Sequence, residues 1–159
     1  MSIREFLLET FAYLPPPRVL EQLTPEQATA RPRADMHSIA EIVGPMHFWQ
    51  MWFLKRCRGI EEPMVTSAVT GWPAVTAGDW ERLRDAFMAT LTEAAALGDD
   101  PSRLSARLDP PIDFPPLAEY TMRDALIHMA THNAHHFGQI VTIRQLQGAW
   151  PPPAGSFTW

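Results

Sequence analysis

The sequence predicts an all-α protein, a four-helix bundle whose helices are joined by long proline-rich connections. Four segments carry apolar residues at helical spacing, at about residues 2–14, 38–58, 79–97 and 121–147. Of the 16 prolines, 15 lie outside these segments, mostly in groups that end one helix or precede the next. Because 159 residues can bury a self-sufficient core, we predict a single domain over residues 1–159.

The charge and the cysteine content of the chain argue against several classes of function. The chain has 13 basic and 18 acidic residues and no run of lysine or arginine, so we predict no nucleic-acid partner. Cys57 is the only cysteine, and its place on an apolar helix face indicates a core thiol. Neither a secretion signal nor a stretch of roughly 20 apolar residues is found. We therefore expect a soluble, cytoplasmic protein that does not enter a membrane.

The first two helices have recognisable beginnings. Ser2 and Ser38 can each cap a helix with a side-chain oxygen. Inside the second helix, Pro45 removes one backbone hydrogen bond and crowds the preceding turn, so we expect a kink or a broken start there. The aromatic run that follows is interpreted as core or interface packing; in the alternative, Trp49 or Trp52 walls a pocket. The buried stripe expected for the first helix comprises Ile3, Phe6, Leu7 and Phe11.

Two irregular segments are expected to pack against the helices. Residues 59–78 form a long connection of the kind that often serves as a binding loop or lid. Its centre, residues 71–73, and the C-terminal residues 150–159 are rich in tryptophan and proline. Tryptophan burial contributes strongly to packing and proline lowers the cost of ordering a segment. The third helix, by contrast, is interpreted as purely structural, with Trp80 in its buried stripe.

The fourth helix has the clearest boundaries. Thr121 and Asp124 form a capping box at its start, and Gly148 followed by three prolines ends it. Apolar residues occupy two sides of this helix, so it is either central in its domain or covered by a partner subunit. One apolar arc contains Ala125, Met129, Ile140 and Ile143, and the other contains Leu126, Ala130, Ala134, Phe137 and Val141.

Four of the six histidines lie on the fourth helix, within residues 128–136. His132 and His136 are four residues apart on the core-facing side, which brings their rings close enough to bind one divalent metal ion. Alternatively, they are core histidines hydrogen-bonded to their neighbours. Asn133 stands where a zincin protease needs glutamate, which disfavours that class. Gln139, one turn further on, could orient a ligand or a bound water.

Two segments resemble the DinB-like (DinB/YfiT) superfamily. Residues 38–44 read Ser-Ile-Ala-Glu-Ile-Val-Gly before an aromatic helix, and residues 132–139 read His-Asn-Ala-His-His-Phe-Gly-Gln. The resemblance implies a four-helix bundle with a three-histidine site for zinc or nickel, open to water or substrate, and homodimers in many members. It further implies thiol-dependent transferases or isomerases that use bacillithiol, mycothiol or glutathione; other members are labelled metal-dependent hydrolases.

By this resemblance His132 and His136 are the two metal ligands of the fourth helix. Pro45 occupies the position of the family's first histidine. His47 is the third ligand we expect, although it lies about 200° around an ideal helix from position 45 and needs the proline kink to re-aim it. In a further alternative the pair is a remnant that binds no metal. The other candidates for the third ligand are His37 and His128.

Two hypotheses from different classes follow. In the first, the protein is a metal-dependent S-transferase, isomerase or hydrolase that acts on a small molecule, with zinc or nickel and a low-molecular-weight thiol as cofactors. In the second, it is a catalytically inert DinB-like bundle with a degenerate metal site, serving as a small-ligand binder or dimeric scaffold. A homodimer is predicted because the second apolar arc and residues 48–53 supply more apolar surface than one core needs.

Overall fold

The computed structural model describes residues 2–157, apart from the side chain of Ala68. Within this part of the chain the protein is all-helical, as predicted, and contains no β-strand. Three long helices contain most of the helical residues, and shorter helices and 3-10 turns lie in the connections. The α-helices are α1 (Ile3–Leu7), α2 (Pro16–Val19), α3 (Pro25–Thr29), α4 (Ile39–Cys57), α5 (Trp80–Gly98), α6 (Pro101–Leu104) and α7 (Met122–Leu146).

The predicted helix boundaries of α4 and α7 are confirmed. Ser38 Oγ accepts a hydrogen bond from the backbone amide of Glu41. The Glu41 carboxylate in turn accepts a hydrogen bond from the backbone amide of Ser38. Thr121 and Asp124 form the same reciprocal pair at the start of α7. At the other end of α7, Gly148 adopts a positive φ of 67°. This conformation lets the Gly148 amide donate to the Gln145 carbonyl and the Ala149 amide donate to the Arg144 carbonyl, which closes the helix.

Helix α4 is continuous through Pro45, so it is not broken there. The preceding residue, Gly44, lies against the connection that follows α4. A Cβ at Gly44 would lie 3.4 Å from Pro73 Cγ and from Val75 Cγ2. The absence of a side chain therefore lets this loop approach the helix closely.

The first helix is shorter than predicted, because α1 ends at Leu7 rather than near Leu14. Thr10 Oγ1 accepts a hydrogen bond from the Ala12 amide, a local bond that competes with helix continuation. Ile3 and Leu7 are buried as expected. Phe6 and Phe11 are 43% and 87% exposed, so their predicted burial is wrong. The predicted four-helix bundle, with α1 as its fourth helix, stays a prediction.

Helix α7 is covered on its second apolar side by the chain itself. Phe137 is 1% exposed and lies between Tyr13 and Phe87, with ring centroids 6.0 and 6.1 Å away. Leu126 is fully buried as well. Since this arc is already covered, it no longer argues for a partner subunit. The homodimer stays a prediction.

The connection after α4 packs on the helices where it was expected to. Gly71 is buried, and the ring of the partly exposed Trp72 lies 4.6 Å from that of His37. Trp52 donates from its indole nitrogen to the Pro63 carbonyl at 3.0 Å, which fixes the start of the loop. Met64 then reaches back toward α7 and packs on the core.

The C-terminal segment also lies against the helices in its described part. Trp150 is half-buried with its ring centroid 5.7 Å from the Arg144 guanidinium, and Pro152 is buried. Thr158 and Trp159 fall outside the described residues, as does the part of the prediction that concerned them. No helix in residues 2–157 is both long and apolar enough to cross a membrane.

Candidate functional site

Helix α7 holds His132 and His136 as a close pair. Their Nε2 atoms are 3.2 Å apart, and their ring planes meet at 83°. His136 is buried and His132 is half-buried. A single turn of one helix therefore sets the separation of the two imidazoles, as the sequence spacing predicted.

A hydrogen bond to Gln139 fixes the tautomer of His136. The Gln139 side-chain carbonyl oxygen lies 2.7 Å from His136 Nδ1. Because a carbonyl oxygen only accepts, Nδ1 carries the proton and Nε2 keeps its lone pair facing His132. This bond orients the His136 ring; the predicted role of Gln139 beside a bound metal ion stays a prediction. The amide nitrogen of Gln139 lies 3.4 Å from Nε2 of the exposed His135.

Both histidines of the pair are held neutral. Burial lowers the pKa of His132 to about 4, helped by the neighbouring imidazoles, of which His136 contributes most. Burial also lowers the pKa of His136, partly opposed by the Gln139 hydrogen bond. At pH 7 both rings are therefore neutral, each with one N–H and one free nitrogen lone pair. This is the state that a nitrogen ligand of a metal ion requires.

The structure does not bring His47 to this pair. His47 is half-buried and lines a different cavity, together with Met51 and Pro73. Its Nδ1 lies 3.4 Å from Thr90 Oγ1 on α5, and burial lowers its pKa. Helix α4 runs without interruption through Pro45. His47 as the third ligand stays a prediction.

Of the other two candidate third ligands, the structure brings His128 but not His37 near His132, since His128 and His132 line the same two cavities. His128 Nδ1 lies 3.0 Å from the Tyr120 hydroxyl, and its ring packs 4.8 Å from that of Phe53. His37 is exposed beside Trp72. In the described part of the chain, no three residues drawn from histidine, cysteine, aspartate and glutamate are arranged to hold a metal ion.

The spacing of the two histidine rings fits two ligand positions of a metal site. Two nitrogens bound at 2.0–2.1 Å to one tetrahedral ion lie about 3.3 Å apart, close to the 3.2 Å between the two Nε2 atoms. Catalytic zinc sites have three protein ligands. The structure thus brings His132 and His136 together at a spacing that suits one metal ion. The three-histidine site implied by the resemblance stays a prediction.

Beside the pair lies a cavity of ≈ 180 Å³ between α4 and α7. Most of its wall is apolar, and Trp49 belongs to it, in agreement with the pocket-wall alternative for the aromatic run. Met64 from the loop after α4 and Leu117 from the 3-10 turn before α7 border it as well. The polar side chains on the wall are those of Gln50, His128, His132 and Asn133.

Sequence reasoning missed the hydrogen-bonded pair Gln50 and Asn133. Gln50 is 1% exposed; its amide nitrogen donates to Thr90 Oγ1 at 2.7 Å and to the Phe87 carbonyl at 3.0 Å. Its oxygen accepts from Asn133 Nδ2 at 2.7 Å. These bonds link α4, α5 and α7 across the core. The sequence did contain a signal for this pair. Gln50 and Asn133 each follow a buried methionine, Met46 and Met129, by one helical turn, so both are polar residues on the core-facing side of their helix.

Comparison with known proteins supports the family resemblance. The sequence profile of the DinB superfamily matches residues 17–140, which include α4, the cavity and the histidine pair. No curated protein and no solved structure matches the chain significantly. The profile match covers most of the sequence, and the chain therefore belongs to the DinB superfamily.

Proposed function

We propose that this DinB-superfamily protein binds a small, largely apolar molecule with one polar group in the cavity between α4 and α7. The observation that carries the proposal is the cavity itself, ≈ 180 Å³ with an apolar wall and a few polar groups on one side. Small-molecule sites have this composition. An apolar cavity of about 150 Å³ in another protein is large enough to hold benzene.

The polar group of such a molecule has a partner in His132. Its Nδ1 makes no hydrogen bond to any described residue, whereas Gln50 and Asn133 already bond to each other. Because His136 Nε2 keeps its lone pair toward His132, His132 Nε2 carries the proton and its Nδ1 is an acceptor. The ligand class is therefore a compact ring or short alkyl chain that bears one hydroxyl or thiol group.

The first test uses p-cresol, an aromatic ring with a single hydroxyl. We expect saturable shifts of amide NMR signals from the cavity-lining parts of α4 and α7. Leu117→Trp places a larger side chain at the edge of the cavity and should abolish these shifts, because Leu117 lines it. Leu146→Trp makes the same change at a 61% exposed position away from the cavity and should leave binding intact. Equal loss in both variants, or unsaturable shifts in the wild type, would contradict the proposal.

The second candidate function is metal-dependent catalysis on a small molecule, and the 3.2 Å separation of the histidine Nε2 atoms favours it. His132 and His136 would hold zinc or nickel, and Gln139 would keep the proton of His136 on Nδ1. A bound ion of this kind polarises a water or a thiolate, which suits a hydrolase or a thiol-dependent transferase or isomerase. The apolar cavity next to the pair would exclude bulk water from the substrate.

Metal analysis of untagged protein tests this second function. After incubation with zinc or nickel and removal of free metal, we expect about one ion per chain in the wild type and none in His136→Ala. His47→Ala should retain its metal, because His47 lines a separate cavity. Loss of metal in His47→Ala would instead support His47 as the third ligand. A metal-free wild type would rule out metal-dependent catalysis and leave the binding function standing.

A further inference from the structure

Four arginines surround a pocket at the C-terminal end of α4. This arginine pocket has a volume of ≈ 370 Å³ and lies where α4 ends, α6 passes and α7 begins. The sequence does not reveal it, because the arginines come from two separate stretches of the chain. Its charged wall consists of Arg56, Arg58, Arg103 and Arg107, and its buried floor of Cys57, Leu108 and Met122.

Arg56 is a buried charge without a carboxylate partner. It is 3% exposed, and its guanidinium donates to the Pro110 carbonyl and lies 6.0 Å from the ring centroid of Trp52. Its Nε makes no hydrogen bond within the described chain. Buried charges are normally paired, because an unpaired one costs several kcal/mol. Within the described chain Arg56 therefore lacks the paired carboxylate that a buried charge normally has.

The other three arginines are only partly neutralised. Arg58 pairs with Glu93, and Arg107 pairs with Glu119. Arg103 is exposed, and its guanidinium contacts no acceptor among residues 2–157. One acidic residue, Asp109, lies on the wall beside the four arginines. A pocket with this excess of positive charge contrasts with the formal net charge of −5 for the whole chain.

The thiol at the floor does not make this pocket a reactive-cysteine site. Burial raises the pKa of Cys57 to about 11, and this effect outweighs the lowering by Arg103 and Arg58. The thiol is therefore neutral at pH 7 and a poor nucleophile. What the pocket offers a ligand is positive charge and guanidinium donors.

We propose that the arginine pocket binds the oxyanion group of a small acid, a phosphate or a carboxylate. Guanidinium groups form charge-assisted, often bidentate hydrogen bonds with both. The pocket volume falls in the range of small-molecule sites and exceeds what one inorganic phosphate fills, so the anionic group belongs to a larger molecule. This site lies apart from the cavity between α4 and α7, since the two share no lining residue.

The test is an amide NMR titration of the full chain with inorganic phosphate and, separately, with citrate. Sodium chloride at equal ionic strength serves as the reference. We expect saturable shifts at the pocket, for example at Gly59 and Ala106. Arg103→Gln should weaken binding about tenfold, because it removes one charge-assisted partner. This residue is exposed, so its replacement should not disturb folding.

Arg82→Gln is the matched control, an exposed arginine of α5 away from the pocket. It should bind both anions like the wild type. Binding of phosphate alone identifies a phosphate ester, binding of citrate alone identifies a polycarboxylate, and binding of both supports the shared oxyanion chemistry. The proposal is overturned if neither anion produces saturable shifts beyond those of chloride, or if Arg82→Gln weakens binding as much as Arg103→Gln.

Discussion

Replacing Trp80 with alanine is expected to lower the free energy of unfolding by about 4 kcal/mol. Trp80 is fully buried, and its indole nitrogen donates to the Leu23 carbonyl at 3.1 Å. The substitution leaves a large cavity at the start of α5 and also releases the segment between α2 and α3. Urea unfolding followed by circular dichroism measures the effect.

Trp72→Ala is the control, because Trp72 is 38% exposed and has His37 as its ring partner. Its effect should stay within about 1 kcal/mol. Trp80→Phe retains most of the buried ring but removes the donor to Leu23, so it should cost about 1–2 kcal/mol. Similar losses for Trp72→Ala and Trp80→Ala would show that Trp80 does not anchor the core in this way.

Acidification from pH 7 to pH 4 is expected to destabilise the protein through His132. Its pKa is about 4 in the folded chain against an ordinary 6.5, so the unfolded chain takes up the proton first. The stabilisation is complete above pH 6.5 and is lost as the pH falls toward 4. Because His132 is only half-buried, solvent screening reduces the effect to roughly 2 kcal/mol. The lowered pKa values of His47, His128 and His136 act in the same direction.

Urea unfolding at several pH values, in the presence of a metal chelator, tests this dependence. His132→Leu should flatten the fall in stability between pH 6.5 and 4, because leucine takes up no proton. His37→Leu changes an exposed histidine and should leave the pH dependence as in the wild type. A wild-type stability that rises on acidification, or a His132→Leu curve parallel to the wild type, would contradict the assignment.

The long helices were predictable because their signals are local. Ser38 with Glu41, Thr121 with Asp124 and the glycine after α7 each act within a few residues of the helix end. The first helix was overextended because its apolar spacing continues past Leu7. The local bond at Thr10 and the packing of later helices decide where it ends. Neither can be read from periodicity.

The same difference between local and long-range signals explains which site residues could be predicted from the sequence. His132 and His136 were found because one helix sets their separation. The Gln50 and Asn133 pair and the surroundings of His47 depend on which faces of α4, α5 and α7 meet. The arginine pocket likewise joins residues about 50 positions apart in the sequence. Sequence spacing within one segment carries no information on such contacts.

The short α1 has a consequence for the motions of the folded chain. It has five residues, too few to be stable as an isolated helix. It is held at the C-terminal end of α5. There Ile3 fills the space that a Cβ at Gly98 would occupy, and Arg4 pairs with Asp99. These partners lie more than 90 residues away in the chain. Detachment of α1 breaks no hydrogen bond within α4, α5 or α7, although it exposes the buried Ile3 and Leu7. We therefore expect this end of the molecule to open at a lower free-energy cost than global unfolding.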